Sequence, residues 1–470
     1  MALRAPSGAL EGDEMDHAHN LAGIAIACAT LLAPSAQARD GDLDPGFGTH
    51  GVTVVELGAT SAALGLALAP DGRIVLGGTI ETVATGSDFA VARLTRDGIP
   101  DSAFSFDGWT TAAIGSGNAF DGSLNTIVQS DGKIVVIGEG PDTGVVPDDS
   151  DFKLARFNAD GTLDTSFSGD GKAFVEFNLG GNNEDRALDG VQLANGKLVV
   201  VGTAAVAPDD SDIAVVRLNA DGSRDTGFDA DGRLTFSFDL DPTFRSEIAS
   251  SVAIDGAGNI VIAGAVPNGG LSAHDFAIAR LLPNGTLDPN FGGDGRVTVA
   301  FDLGGTLEDT ALELEIAPDG SIFVSGGVKA SGYDFAVVKL QPDGTPDPSF
   351  GTGGRATVAF DLGGSNDDIA YGGALQPDGK FVFVGFAGDP APDIALARLG
   401  LDGQLDPSFG FAGKRMLPLD IGGNLFDAGV RGRIQDGYLV IGGVAATASA
   451  DSNFMAARII IDTVFEDGFD

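Results

Sequence analysis

Residues 131–167 read DGKIVVIGEGPDTGVVPDDSDFKLARFNADGTLDTSF, and three of their features return along the whole chain. The closing pair Asp164 and Phe167 is one copy of a D-x-x-F pattern, usually with Gly soon after. The other copies are Asp44/Phe47, Asp101/Phe104, Asp225/Phe228, Asp288/Phe291, Asp347/Phe350 and Asp406/Phe409. The step between copies is about 60 residues, and self-similarity at a fixed period marks a repeat architecture. The opening Asp131-Gly132 is a turn followed by an apolar run that ends in Gly, and it too recurs in every unit, for example at Pro318-Asp319-Gly320 and Gln435-Asp436-Gly437. Between these landmarks lies a strand of the DFKLARF type, beginning at Asp88, Asp151, Asp212, Asp275, Asp334, Asp393 and Asn453.

Each unit reads as four short strands. In the fifth they are GRVTVAFD (295–302), TALELEIA (310–317), SIFVSGG (321–327) and DFAVVKL (334–340). Alternating apolar positions with β-branched and aromatic content favour strands, and the Asp-Gly sequences supply the turns. Seven such units predict an all-β fold, a seven-bladed β-propeller of four-stranded blades. A β-helix is the alternative, but its coils repeat at shorter periods. If the strand ending in the Asp-Gly turn is the inner one, GVTVVEL (51–57) is an outer strand, while the chain ends on a third strand (454–461). The N-terminal strand is therefore expected to complete the last blade and close the ring, which removes an open sheet edge.

The run DGKIVV (131–136) with DFKLARFNADGTLD (151–164) resembles the delta-60 repeat family of bacterial extracellular propellers, over about residues 40–462. The resemblance implies the propeller fold and export, but no reaction or ligand.

Composition narrows the function. The chain has 470 residues and a formal net charge of −40, so DNA, RNA and anionic lipid surfaces would repel it. With 43% hydrophobic and 20% charged residues it has ample material for a core. Length alone would suggest three domains, whereas the repeat makes residues 39–462 one ring. Residues 21–33, LAGIAIACATLLA, are too short to span a bilayer but suit a signal-peptide core, and Ala36-Gln37-Ala38 suits cleavage after residue 38. The acids at Glu11, Asp13 and Glu14 are unusual for a leader's flank and make Met15 an alternative start. Cleavage removes Cys28, the single cysteine. Lipid anchoring at Cys28 is an alternative that lacks the usual Leu three residues earlier. The expected product is a secreted or cell-surface monomer with no transmembrane segment and a short C-terminal tail at 463–470.

Two sets of recurrent side chains are candidates for chemistry. Arg93, Arg156, Arg217, Arg280, Lys339 and Arg398 each lie eight residues before the Asp of D-x-x-F, with Arg458 in the last copy, and predict a repeated structural salt bridge. The second set is Asp121, Asp185, Glu247, Asp309, Asp368 and Asp427, with Ser61 in the first unit, each just ahead of an expected inner strand. Placed in a ring at one channel mouth, these carboxylates either accept backbone N–H groups or share a cation, for which Ca²⁺ is the natural candidate. Enzymatic signatures are sparse. Past residue 38 only His50 and His274 remain, His274 reading as a loop residue, and no G-x-S-x-G elbow or phosphate loop is present. The expected function is a non-catalytic binding or scaffold module for an unknown protein or surface ligand. The alternative is an extracellular metal-assisted enzyme using the mouth carboxylates.

Overall fold

The computed structural model describes residues 39–461 except 83–85, 116–118, 142–149, 181–183, 208–209, 241–244, 270–272, 302, 304–307, 363–366, 389–390, 420, 422–425 and 448–451. The expected signal peptide with Cys28, and the chain from 462 onward with the expected tail, lie outside the described residues.

The apolar run after each Asp-Gly turn becomes the second strand of a sheet, hydrogen-bonded between the strand before the turn and the DFAVARL-type strand after it. In blade 5 the order is Asp309–Ile316, Ile322–Lys329, Tyr333–Leu340 and Arg355–Val358, all antiparallel. The fourth strand of each blade comes from beyond D-x-x-F. Thus the expected strand at 295–302 is observed as Arg296–Val299, on the outer edge of blade 4. Seven sheets of this kind form the propeller, and every regular element among the described residues is a strand. Two further two-residue strands, Ala119–Phe120 and Arg245–Ser246, add short parallel pairings to the third strands of blades 1 and 3.

The ring closes as the strand order requires. Val52–Val55 pairs antiparallel with Ser452–Ile460, Val52 opposite Ala457 and Val55 opposite Phe454, and so supplies the outer strand of blade 7.

The repeated Arg, Asp and Phe form one latch between neighbouring blades. Arg280 Nε donates to Asp288 at 2.9 Å, its guanidinium lies 4.8 Å from the centre of the Phe291 ring, and Nη1 donates to the Pro342 carbonyl in the next repeat. Asp288 also accepts the Asn290 amide, which shapes the turn. The same set recurs at Arg156, Asp164 and Phe167, at Arg217, Asp225 and Phe228, and across the chain ends at Arg458, Asp44 and Phe47. Stacking on Phe and a carboxylate partner let a guanidinium lie among apolar residues at low cost. The D-x-x-F phenylalanines are buried and fill the spaces between sheets.

Each innermost strand carries a β-bulge at the same position, which turns an extra residue toward the axis. The register shift falls between Ala311 and Glu313 in blade 5 and between Ala187 and Asp189 in blade 3. This bulge explains the Gly that ends each apolar run. A Cβ on Gly326 would collide with the carbonyl oxygen of Thr310, and one on Gly202 with that of Arg186. Blade 7 differs in one respect. Its first two strands, Asp427–Gln435 and Tyr438–Ala446, are joined by Asp436 and Gly437, both at positive φ, as a two-residue hairpin turn prefers. The shorter turn accounts for Asp427 lying nine residues before Asp436, whereas Asp309 lies ten before Asp319.

Candidate functional site

The inner strands of adjacent blades pack against one another around the axis and line a channel. The six recurrent carboxylates stand where these strands begin, at the mouth that also receives the inter-blade loops, and all six are buried. Five of them hold the incoming chain by its backbone, and Asp427 holds the end of its blade's second strand. Asp185 accepts the Phe177 amide at 2.8 Å and the Ala205 amide at 3.2 Å, and Asp309 accepts Phe301 at 2.8 Å. Asp368 accepts Phe360, Glu247 accepts Phe238 and Asp239, and Asp427 accepts Ala446. Asp121 accepts Ile114 and Gly115 and also pairs with the fully buried Lys153, 3.3 Å away. The arrangement favours backbone acceptance over a shared cation. Among the described residues no three His, Cys, Asp or Glu side chains gather in metal-holding geometry.

The sequence reading missed the lining of the channel itself. The bulge residues Leu64, Leu124, Leu188, Ser250, Leu312, Tyr371 and Val430 form a collar just inside the mouth, with Phe426 at its rim, around a cavity of about 370 Å³. Its walls are mostly apolar, and the four leucines are half-buried. Behind Tyr371 the aromatic contact continues through Phe386 to Phe426, with ring centres 5.7 and 5.6 Å apart.

One residue deeper the lining becomes polar and unrepeated. Glu313 of blade 5 pairs across the channel with Arg431 of blade 7 and, at 2.9 Å, with Arg433. Glu315 lies 3.8 Å from Arg433. Asp189 of blade 3 accepts the Asn125 amide group of blade 2 and the Val252 backbone N–H of blade 4 at 2.7 Å. Burial raises Asp189 above the usual Asp range, with Arg431 opposing the rise.

Two carboxyls, one at the start of an inner strand and one near the far end of another, give the fold a pH dependence. Burial pushes Glu315 up to about 7, against the pull of Arg433 and with a further push from Glu313. Burial likewise pushes Glu247 up to about 7, against hydrogen bonds from the Asp239 and Phe238 amides. Folding thus retains protons that the unfolded chain has released above its ordinary value of 4.5, so stability falls as pH rises from about 4.5 to 7. The latch carboxyls Asp347 and Asp406 act in the opposite sense at lower pH. Asp347, hydrogen-bonded by Lys339, lies at about 2, and stability held by this pair is lost as pH drops from 3.8 through that value. The denaturation midpoint should therefore peak between about pH 4 and 5. Glu315→Gln should flatten the decline toward neutrality by about 1 kcal/mol per pH unit. A midpoint that climbs from pH 5 to 7 would refute this assignment.

His274 opens the third strand of blade 4, opposite Pro267, instead of lying in a loop. With Glu184, Arg186, Asp210 and Glu247 it lines a polar groove of about 460 Å³ between blades 3 and 4.

A ring of seven four-stranded sheets, latched blade to blade and closed by its own N-terminal strand, defines the chain as a β-propeller. Six stretches, 69–104, 129–167, 193–228, 258–291, 317–350 and 376–409, match the family model described as "Domain of unknown function (DUF5122) beta-propeller". Each runs from the turn after an inner strand to the Phe of the latch, and the seventh copy is divided between the chain's ends. No curated protein matches the chain. Among solved structures, a protein of unknown function from Dyadobacter fermentans DSM 18053 is 12% identical, covering 89% of this chain and 100% of its own, with a TM-score of 0.43. The polysaccharide lyase Uly1 is 11% identical over 92% of this chain and 94% of its own, TM-score 0.46. Drosophila Semaphorin 2a is 11% identical over 90% and 77%, TM-score 0.47. Among the described residues no helix is long and apolar enough to cross a membrane.

Proposed function

We propose that this protein is an exported, non-catalytic propeller of the delta-60 repeat type, which binds its ligand at the loop-side mouth of the channel. The observation that carries this reading is the break in symmetry. The latch is nearly identical from blade to blade, whereas the collar breaks its leucines at Ser250, Tyr371 and Val430, and the layer beneath it carries its acids and arginines in only three blades, as a site for a specific ligand requires. Apart from the Nε–H of Arg431, the charged lining groups are committed to one another and to backbone, which leaves them as scaffolding for a pocket rather than as an acid–base pair. Export is supported by the apolar run at 21–33 and the small residues Ala36 and Ala38 after it. The net charge of −40 directs the search toward neutral or cationic ligands rather than nucleic acid.

The enzyme alternative has its best case in the groove of Glu247 and His274, where a carboxyl near 7 could exchange protons. Against it, Glu247 uses both oxygens on backbone amides.

A thermal-unfolding screen of small molecules, saccharides and peptides tests the proposal, since anything that binds the native state raises the midpoint. At least one class should raise it, lose that effect in the collar variant Leu188→Gln/Leu312→Gln, and be recovered chemically unchanged by mass spectrometry. Conversion of the stabilising ligand would overturn the non-catalytic reading. Stabilisation that survives in the collar variant would move the site elsewhere.

A further inference from the structure

The cavity at the channel mouth has walls that select a chemical class of ligand. Its volume of about 370 Å³ lies near the lower end of the roughly 300–1,000 Å³ typical of small-molecule sites. The bulge residues present leucine side chains on most sides, and Tyr371 with Phe426 supplies an aromatic wall on the blade 6–7 side. Polar groups are few: Ser250 interrupts the collar, Tyr371 carries a hydroxyl, and Arg431 contributes a guanidinium.

Arg431 is only 8% exposed, and its Nε–H has no hydrogen-bond partner. Its Nη1 is already engaged, by the Glu313 carboxylate and, at 3.4 Å, the Leu312 carbonyl. A buried donor left without an acceptor is unfavourable, and a ligand oxygen that supplies the acceptor removes that cost. The surrounding charge argues against an anion. Glu313 already pairs with both Arg431 and Arg433, and Glu315 lies 3.8 Å from Arg433, so a ligand carboxylate would have to compete with carboxyls that are built in.

We propose that the mouth of the channel binds a small, neutral, largely aromatic molecule bearing a carbonyl oxygen, with its ring against Tyr371 and Phe426 and its oxygen accepting from Arg431. This inference rests on the binding function proposed above and specifies its ligand.

The probe is 6-propionyl-2-dimethylaminonaphthalene, a neutral naphthalene whose emission shifts to the blue in apolar surroundings. Its comparison compound is 2-dimethylaminonaphthalene, which lacks the carbonyl. Titration should give saturable binding of the ketone at one site per chain. Leu188→Gln/Leu312→Gln should weaken binding of both compounds by about tenfold or more. Arg431→Met should weaken the ketone by roughly tenfold, the size of one lost hydrogen bond, and leave the carbonyl-free compound unchanged. Arg431→Lys, which keeps a cation beside Glu313 but has no Nε–H, should show the same split if the Met variant fails to fold. Absence of saturable binding by the parent protein, equal affinity for both compounds, or indifference to the collar variant would each overturn the proposal. If other ligands from the unfolding screen still stabilise the parent while the ketone does not bind, the ligand class falls and the binding function stands.

Discussion

Arg398→Met is expected to lower the free energy of unfolding by about 3–5 kcal/mol, the usual penalty for breaking a buried charge network from one side. The Arg398 side chain is fully buried and gathers groups from three distant parts of the chain. Its Nε donates to Asp406 at 2.9 Å, Nη1 to the Ile461 carbonyl at 2.8 Å, and Nη2 to Asp40 at 2.8 Å and Ser408 at 2.9 Å. One guanidinium thus ties blade 6 to both ends of the propeller, where the ring closes. Met fills similar space and stacks on Phe409 but leaves two carboxylates facing an apolar side chain. The equivalent residue in blade 5 is Lys339, 18% exposed, with a single carboxylate partner at 2.8 Å. Lys339→Met should therefore cost much less. Urea denaturation of both variants measures the difference, and equal losses would show that Arg398 has no special place in closure.

Gly326→Ala should be nearly as damaging although it adds one methyl group. The Thr310 carbonyl, displaced by the bulge of the neighbouring strand, occupies the place where the new Cβ would sit. Backbone cannot yield as a side-chain tip can, so the sheet must shift, at about 1–3 kcal/mol or more. Gly327→Ala provides the control. Its Cβ would make ordinary contacts with the side chains of Tyr333 and Ile369, the nearest at 3.4 Å. A Gly326→Ala variant as stable as Gly327→Ala would show that the bulge does not constrain the second strand.

The contrast between these glycines shows what could be read from the chain and what could not. The period, the four strands per unit and the pairing of Arg with Asp were legible because each is repeated, and seven copies separate signal from noise; the closure by residues 52–55 followed from the order of strands at the two ends. The inner-strand carboxylates were legible for the same reason, although their use as backbone acceptors shows only in three dimensions. The charged layer of the channel lining escaped notice because it does not repeat. Asp189, Glu313, Glu315, Arg431 and Arg433 come from three blades that the sequence treats as equivalent. The bulge hid them further. By simple alternation Ala311 and Glu313 share a face, yet the extra residue sends Ala311 into the core and Glu313 to the channel. Aligning the units on the inner-strand carboxylate and reading four residues on gives Gly65, Asn125, Asp189, Ser251, Glu313, Gly372 and Arg431. That column would have exposed the asymmetry.

The central claim is that the repeated charges hold the ring together while the unrepeated channel mouth forms the site. Calcium titration at constant ionic strength, followed by thermal unfolding of the parent protein and of Asp309→Asn, tests it most directly. If the mouth carboxylates are backbone acceptors, calcium leaves both midpoints unmoved and the substitution alone costs about 1–2 kcal/mol, the loss of a charge-assisted hydrogen bond. A calcium-dependent rise in the parent midpoint that Asp309→Asn abolishes would contradict the account and make the ring a cation site.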